Sequence, residues 1–368
     1  MGQLAASISI DEQLAPDFLA SLVEMEVEDD RMVSSVFRIK LGISRQDQGV
    51  WLLLDDDRIK PWAKVTINAT VGDADQELIT GYITTIRTHL DIQESESYLE
   101  LVGMDPSSLM SIEEKIKQWP NKSDSDIASE IFGDYGLTPQ VDDTGVVHDE
   151  NACTILQRET DIQFLRKLAR RNGYECVVKG TQGFFGKPVL TGDPLPVLSA
   201  HFGAETNLAS FNAHWDAKRP TAVEMHQIDT AEKQILDASG SPGSQKQLGK
   251  NGPLSVSIPG GVTATTIVKH AVTTGVAEMT NLVQGMNDDA EWFVEGEGEV
   301  DTVIYGAALQ AGKLVPVKGV GEAFSGIYYI THVKHKFSLD RYMQHFTARR
   351  NASAPSGPSD FGGGSSLF

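Results

Sequence analysis

The chain has 368 residues, with 51 Asp plus Glu against 31 Lys plus Arg, for a formal net charge of −20. Its 40% hydrophobic and 22% charged residues are the composition of a folded protein, which excludes general disorder. No basic stripe stands out that could neutralise nucleic-acid phosphates or hold an anionic membrane surface, so neither role is expected.

The start, Met1-Gly2-Gln3-Leu4, has no basic segment followed by an apolar run, so no secretory signal is expected. Ala6 stands where N-myristoylation needs Ser or Thr. No apolar run approaches the roughly 18 residues of a membrane helix. Cys153 and Cys176 are too few and too far apart for a disulfide framework or a zinc knuckle, and read as two buried thiols.

The first hundred residues read as β-structure. Val23, Met25 and Val27 alternate with glutamates. Phe37, Ile39 and Leu41 alternate with Arg38 and Lys40, and Val65, Ile67 and Ala69 alternate with Thr and Asn. A period of two means a strand with one buried face. Acidic punctuation at Asp29-Asp30, Asp55-Asp56-Asp57 and Gly72-Asp73 separates the strands, which suggests a small barrel or sandwich.

The period then changes. Ser123 and Asp126 mark a helix start, with Ile127, Ile131 and Phe132 on one face and Gly133 and Gly136 at its end. A second helix starts at Thr160, where Thr160 and Gln163 fit a capping box. Phe164, Leu165, Leu168 and Ala169 form its apolar stripe. Arg166, Lys167, Arg170 and Arg171 are expected to face water, and Asn172-Gly173 stops the helix. A strand is expected over 174–179, a long loop over 239–253 and a Thr-rich helix over 265–284. Strands are expected over 291–303 and 313–318, and a hairpin over 328–336 and 341–349. Residues 352–368, rich in Gly, Ser and Pro, read as a flexible tail.

An internal repeat links the two ends. Tyr82-Ile83-Thr84-x-Ile86-Arg87-x-x-Leu90 recurs as Tyr329-Ile330-Thr331-x-Val333-Lys334-x-x-Phe337, and each copy precedes a strand that opens with an aromatic, Tyr98 or Tyr342. The chain therefore reads as two copies of one β-module.

Candidate chemical motifs are weaker. His332 and His335 are three apart in a strand, hence on opposite faces, and do not chelate one ion without a bulge. Gly296-Glu297-Gly298 lacks the third glycine of a dinucleotide loop and reads as a strand irregularity or turn. Asp55–Asp57 lacks the spaced ligands of a calcium loop. That run and the group Asp288, Asp289 and Glu291 read as solvated turns. No nucleophile elbow or zincin motif is present. Neither catalysis nor a metal or other cofactor is expected.

Glu159-Thr160-Asp161-Ile162-Gln163-Phe164-Leu165 through Leu168-Ala169 to Gly173-Tyr174 resembles a signature of the phage late control protein D and VgrG family. Gly319, Gly321, Phe324, Gly326, Tyr328, Ile330, Val333 and His335 resemble that family's closing barrel, and Phe346, Arg350 and Asn351 fit its end. Ser125-Asp126-Ile127-Ala128 ahead of Tyr135-Gly136-Leu137 is a weaker match.

The resemblance implies an α+β, mainly β fold: two tube-like β-barrel domains with helical or α+β linking and inserted segments. Residues 1–112 would form the first barrel and 113–198 an α+β linking domain. Residues 199–351 would form the second barrel, with a helical insertion around 262–312, and 352–368 the tail. It also implies a structural baseplate hub of a contractile tail or related injection system, made in the bacterial cytoplasm and resident in the baseplate. The hub would be a homotrimer forming a pseudo-sixfold ring between a hexameric tail tube and a trimeric central spike. Expected partners are the tail tube protein, a separate spike protein and baseplate wedge proteins, with transient passage of DNA or effector through the lumen. From composition alone, the surplus of acids either lines that lumen and repels its cargo or is spread over the outside for solubility. Phe361, Leu367 and Phe368 would lie in a spike-facing tail. The rival classes are a tail-associated peptidoglycan hydrolase and a glycan-binding β protein.

Overall fold

Alternating apolar residues need a core on one side only, and the first part of the chain supplies it by pairing strands antiparallel. The computed structural model describes residues 4–45, 49–72, 74–151, 155–219, 222–229, 232–255, 257–338 and 340–356. Cys153, Asp73, Leu339 and the tail residues Phe361, Leu367 and Phe368 lie outside the described residues.

The first module contains β1 (Leu4–Ile10), β2 (Gln13–Leu14), α1 (Pro16–Ala20), β3 (Leu22–Asp30), β4 (Val36–Gly42), β5 (Lys64–Val71), β6 (Ala74–His89) and β7 (Tyr98–Met104). Then follow β8 (Lys117–Trp119), β9 (Lys122–Ser123), α2 (Asp124–Asp134), β10 (Thr138–Val141), β11 (Val147–His148), β12 (Ile155–Gln157), α3 (Asp161–Asn172), β13 (Glu175–Lys179) and β14 (Gln182–Gly186). The second half contains β15 (Leu198–Ser199), β16 (Leu208–Trp215), β17 (Ala222–Asp229), β18 (Gln234–Ser239), β19 (Thr265–Val268), α4 (Val276–Ala290), β20 (Val294–Asp301), α5 (Thr302–Tyr305), β21 (Leu314–Lys318), β22 (Gly326–Ser338) and β23 (Tyr342–Arg350). The fold is α+β and mainly β.

One 13-stranded sheet runs through both halves in the order β16-β20-β23-β22-β3-β4-β7-β6-β5-β1-β2, with β21 beside β22 and β15 beside β21. One core packs Met25, Val27, Phe37, Ile39, Val65 and Ile67. A second packs Ile127, Phe132, Phe164, Leu165 and Leu168. A third packs Val294, Val300, Val315, Tyr328, Ile330 and Phe346.

The same strand plan is built twice. In each hairpin the register slips at one point, between Ile83 and Thr85 in β6 against β7, and between Ile330 and His332 in β22 against β23. The extra residues are Thr84 and Thr331. Each hydroxyl donates to a carbonyl of the opposite strand, Val102 at 3.3 Å and Thr347 at 3.2 Å. A second slip also recurs, between Leu22 and Glu24 in β3 and between Leu208 and Ser210 in β16. Bulges re-aim and twist a strand, so equal bulge positions mean equal strand geometry. The slip in β3 also explains Val23, expected inside but 43% exposed.

Several expectations are corrected. Residues 265–284 are not one helix. The β-branched run Thr265–Val268 pairs with β17, and α4 starts after Gly275 and continues to Ala290. The inserted element is therefore a three-stranded sheet, β18-β17-β19, packed on α4 through Val223, Met225, Met279 and Val283. Thr160 does stand at the N-cap of α3, but its hydroxyl makes no cap bond and is buried without a partner. The reciprocal capping box lies instead at α2, between Ser123 and Asp126. Gly296 and Gly298 lie in regular strand, where a Cβ would meet the rings of Phe211 and Phe346, each at 2.6 Å. Arg171 and Arg166 do not simply face water. Arg171 holds the buried Asp124 at 2.7 Å through two nitrogens, and Arg166 donates to Ser34 at 3.0 Å. Asp288 and Glu291 are buried rather than solvated. Glu291 accepts from the Gly243 amide, and Asp288 from Ser244 at 2.6 Å, so both hold the loop after β18.

Candidate functional site

The arrangement most relevant to function is a surface, the long sheet with its joint and its ends. At the joint, β22 of the second module pairs antiparallel with β3 of the first, matching His332 to Asp30, Lys334 to Glu28, Lys336 to Glu26 and Ser338 to Glu24. On the core side of this joint His335, Val333 and Phe337 are buried. On the opposite side Lys334 reaches Glu26 at 3.0 Å and Lys336 reaches Glu24 at 2.6 Å. Arg38 and Arg87 both hold Glu100, at 2.5 and 2.8 Å. The face away from the cores is thus polar and laced with ion pairs, and Glu295, Glu297 and Glu299 of β20 add further acids. The two histidines split across the sheet. His332 meets Glu28 at 3.3 Å, whereas His335 is sealed in and bonded to the Tyr342 hydroxyl at 2.7 Å. Burial pushes the His335 pKa down to about 4, so it is neutral.

The two modules are tied to β13 at Glu175, which the sequence reading did not single out. Its carboxylate takes Arg31 of the first module at 2.8 Å and the Tyr329 hydroxyl of the second at 2.7 Å. Nearby, Asp29 accepts from Lys179 at 3.1 Å and from the Ala311 amide at 3.2 Å. A charge with this little solvent needs every partner it has. The acid sits in a short strand that otherwise reads as apolar, and only the long-range topology brings its partners together.

The family-signature residues do structural work. Asp161 is buried, and burial alone would raise its pKa. Hydrogen bonds from Lys115 (2.5 Å), Gln157 (2.7 Å) and Tyr135 (2.7 Å) instead hold it below the usual carboxylate range. Phe164, Leu165, Leu168 and Ala169 fill the second core beside it. Gly173 ends α3 at φ +66°, against Gly285 of α4. The fully buried Arg350 binds four carbonyls: Ser325 at 2.7 Å, Ala354 at 3.1 Å, Leu248 at 3.2 Å and Phe324 at 3.3 Å. Gly326 leaves it room, since a Cβ there would lie 2.5 Å from the guanidinium. Tyr328 lies under the guanidinium, 5.1 Å from it to the ring centroid. Asn351 accepts from the Leu248 amide at 3.0 Å and donates to the Lys246 carbonyl at 3.1 Å. Together these residues fix the point at which the chain leaves the second module.

Among the described residues, no cluster of three His, Cys, Asp or Glu side chains is placed to hold a metal ion, and no helix is long and apolar enough to cross a membrane. Burial pushes the Cys176 thiol up to about 12, far from a reactive thiolate.

This fold is that of phage tail proteins. The 43 kDa tail protein of prophage MuSo2 from Shewanella oneidensis superposes with a TM-score of 0.65 at 14% identity, over 95% of this chain and 99% of that one. A tail protein of Neisseria meningitidis MC58 gives 0.68 at 14% identity, over 95% and 97%. The E. coli c3393 protein, a component of the type VI secretion system, gives 0.54 at 12% identity, over 97% and 78%. No curated protein matches the sequence. The chain belongs to the Alg8_N family, described as the Alg8 N-terminal domain, which matches residues 13–338. That name differs from late control protein D and VgrG, the family that the motifs resemble.

Proposed function

We propose that this chain is the structural baseplate hub of a contractile phage tail or related injection system, of the late control D and VgrG type. In this reading it forms a homotrimer whose two modules per copy give a pseudo-sixfold ring, joining the hexameric tail tube to the trimeric central spike. The observation that carries the reading is the repeat of one strand plan, bulges included, in two modules already joined edge to edge. Six equivalent modules are what a threefold chain needs to match a sixfold tube. The fold shared with tail proteins and with a type VI secretion component supports it.

The hub needs no catalytic residue. It needs rigidity, which Glu175 and Asp29 supply between the two modules and β13, and a lumen that does not hold its cargo. The polar sheet face, with its surplus of glutamates, would line that lumen and repel DNA or an acidic effector in transit. The barrels and the linking domain are proposed to follow the expected division at 112, 198 and 351. The tail with Phe361, Leu367 and Phe368 is proposed to face the separate spike, and the outer surface the wedge proteins. The protein would be made in the cytoplasm and reside in the baseplate.

The test is the mass of the purified chain in solution, with and without the neighbouring spike protein. A trimer, or a three-to-three complex with the spike, is expected. A monomer under both conditions, well above micromolar concentration, would overturn the hub and favour a cell-wall hydrolase or glycan-binding protein.

A further inference from the structure

The joint inside the chain is a template for the joint between chains. By the shared bulges, β6 corresponds to β22 and β16 corresponds to β3. Within the chain, the β22 edge beyond its pairing with β21 is covered by β3. The equivalent edge of β6 begins beyond Tyr82, where pairing with β5 ends, and among the described residues no strand covers it. The equivalent outer edge of β16 is the end of the sheet and is likewise uncovered.

Exposure marks both edges as incomplete. Leu90 is 53% exposed where its counterpart Phe337 is 5% exposed. Thr88 is exposed where His335 is buried, and Ala213 is exposed where Val27 is buried. Phe211 and Trp215 are half-buried on the core side of β16. An uncovered edge with its apolar side chains in the air invites a strand.

Resting on the ring reading above, we infer that the β6 edge of one copy pairs antiparallel with the β16 edge of the next, in the register of the internal joint. Lys336 opposite Glu26 becomes His89 opposite Asn212. His335 opposite Val27 becomes Thr88 opposite Ala213. Val333 opposite Asp29 becomes Ile86 opposite Trp215, and Phe337 opposite Met25 becomes Leu90 opposite Phe211. The partner is a second copy of this chain. The contact is head-to-tail, each copy giving β6 to one neighbour and β16 to the other, so that internal and external joints alternate around the ring.

Cysteine pairs test the register in a Cys153→Ser background, with the hub assembled alone or with its spike. One variant carries His89→Cys and Asn212→Cys, the second Thr88→Cys and Ala213→Cys. Neighbouring antiparallel pairs alternate between wide and close spacing, so one of the two sits at the close spacing. A control carries His89→Cys and His214→Cys, a shift of two residues, which puts the Cα atoms beyond disulfide reach. On oxidation, at least one true pair is expected to give a covalent trimer on a denaturing gel, lost on reduction and about tenfold above the control. A trimer by mass with no cross-link in either pair, or with equal cross-linking in the control, overturns the register and leaves the ring standing. A monomer by mass with no cross-link overturns both.

Discussion

Glu175 and Tyr329 lie far apart in the chain, yet the Tyr329 hydroxyl donates to the Glu175 carboxylate at 2.7 Å and 3.0 Å, to one oxygen each. Arg31 completes the group from the first module. Truncating the acid leaves a buried guanidinium and a buried hydroxyl without their acceptor. Glu175→Ala is expected to cost about 3–5 kcal/mol in equilibrium urea unfolding, and Tyr329→Phe only about 1 kcal/mol. Equal costs for the two would show that the carboxylate is not the centre of the group.

Gly173 is held at φ +66°, and a Cβ there would meet Gly285 Cα at 2.6 Å. Gly173→Ala must therefore strain the backbone and also push α3 from α4. A loss of at least about 2 kcal/mol is expected from thermal or denaturant unfolding. Gly136, also at positive φ but with open space around its Cβ position, carries only the backbone cost. Gly136→Ala is expected to lose less, about 1 kcal/mol.

Burial pushes the Glu291 carboxyl up to about 7, with Asp288 adding to the rise. Its folded pKa exceeds its unfolded value, so between the ordinary carboxylate range and pH 7 the folded state holds a proton that the unfolded chain has released. Stability then falls as pH rises through that window and stays lower above it. Glu291→Gln is expected to stabilise the protein at pH 8, on the order of 1–3 kcal/mol, with the gain vanishing near pH 4. Unfolding midpoints of both proteins at the two pH values decide this, and a gain independent of pH would refute it.

Arg350 ties Leu248, Phe324, Ser325 and Ala354 together. Arg350→Leu should leave these carbonyls unbonded and free the segments on either side. Limited proteolysis is expected to cut near residues 246–254 and after 351 in the variant much faster than in the wild type. Digestion at unchanged rates would show that the guanidinium is not what holds the exit.

Strand identities were largely legible because each strand has one wet and one dry face. Phe37, Ile39 and Leu41 alternate as they pack. The hairpin repeat was legible because Tyr82 and Tyr329 open matching patterns. What joins the modules was not. Pairing of β3 with β22 links residues at opposite ends of the chain, and nothing local in either strand names its partner. Glu175 opens the short strand Glu175–Lys179, and nothing local marks it as a junction between modules. The fate of Asp288 and Glu291 depended on which loop would fold over them. Thr265–Val268 is strand, in keeping with the weak helical and strong strand preference of a β-branched run, a signal that the helix expected over 265–284 passed over.

The Arg350 clamp has a mechanical consequence. A pull on residues beyond Ala354 loads the Arg350 clamp and the Asn251–Ser353 backbone pair and, through Arg350, the end of β23, which lies between β20 and β22. The tension therefore runs parallel to the strands and loads their cross-links in shear, together, rather than opening them one after another from an end. A pull of that kind would be shared across the sheet into β22 and, through β3, into the other module.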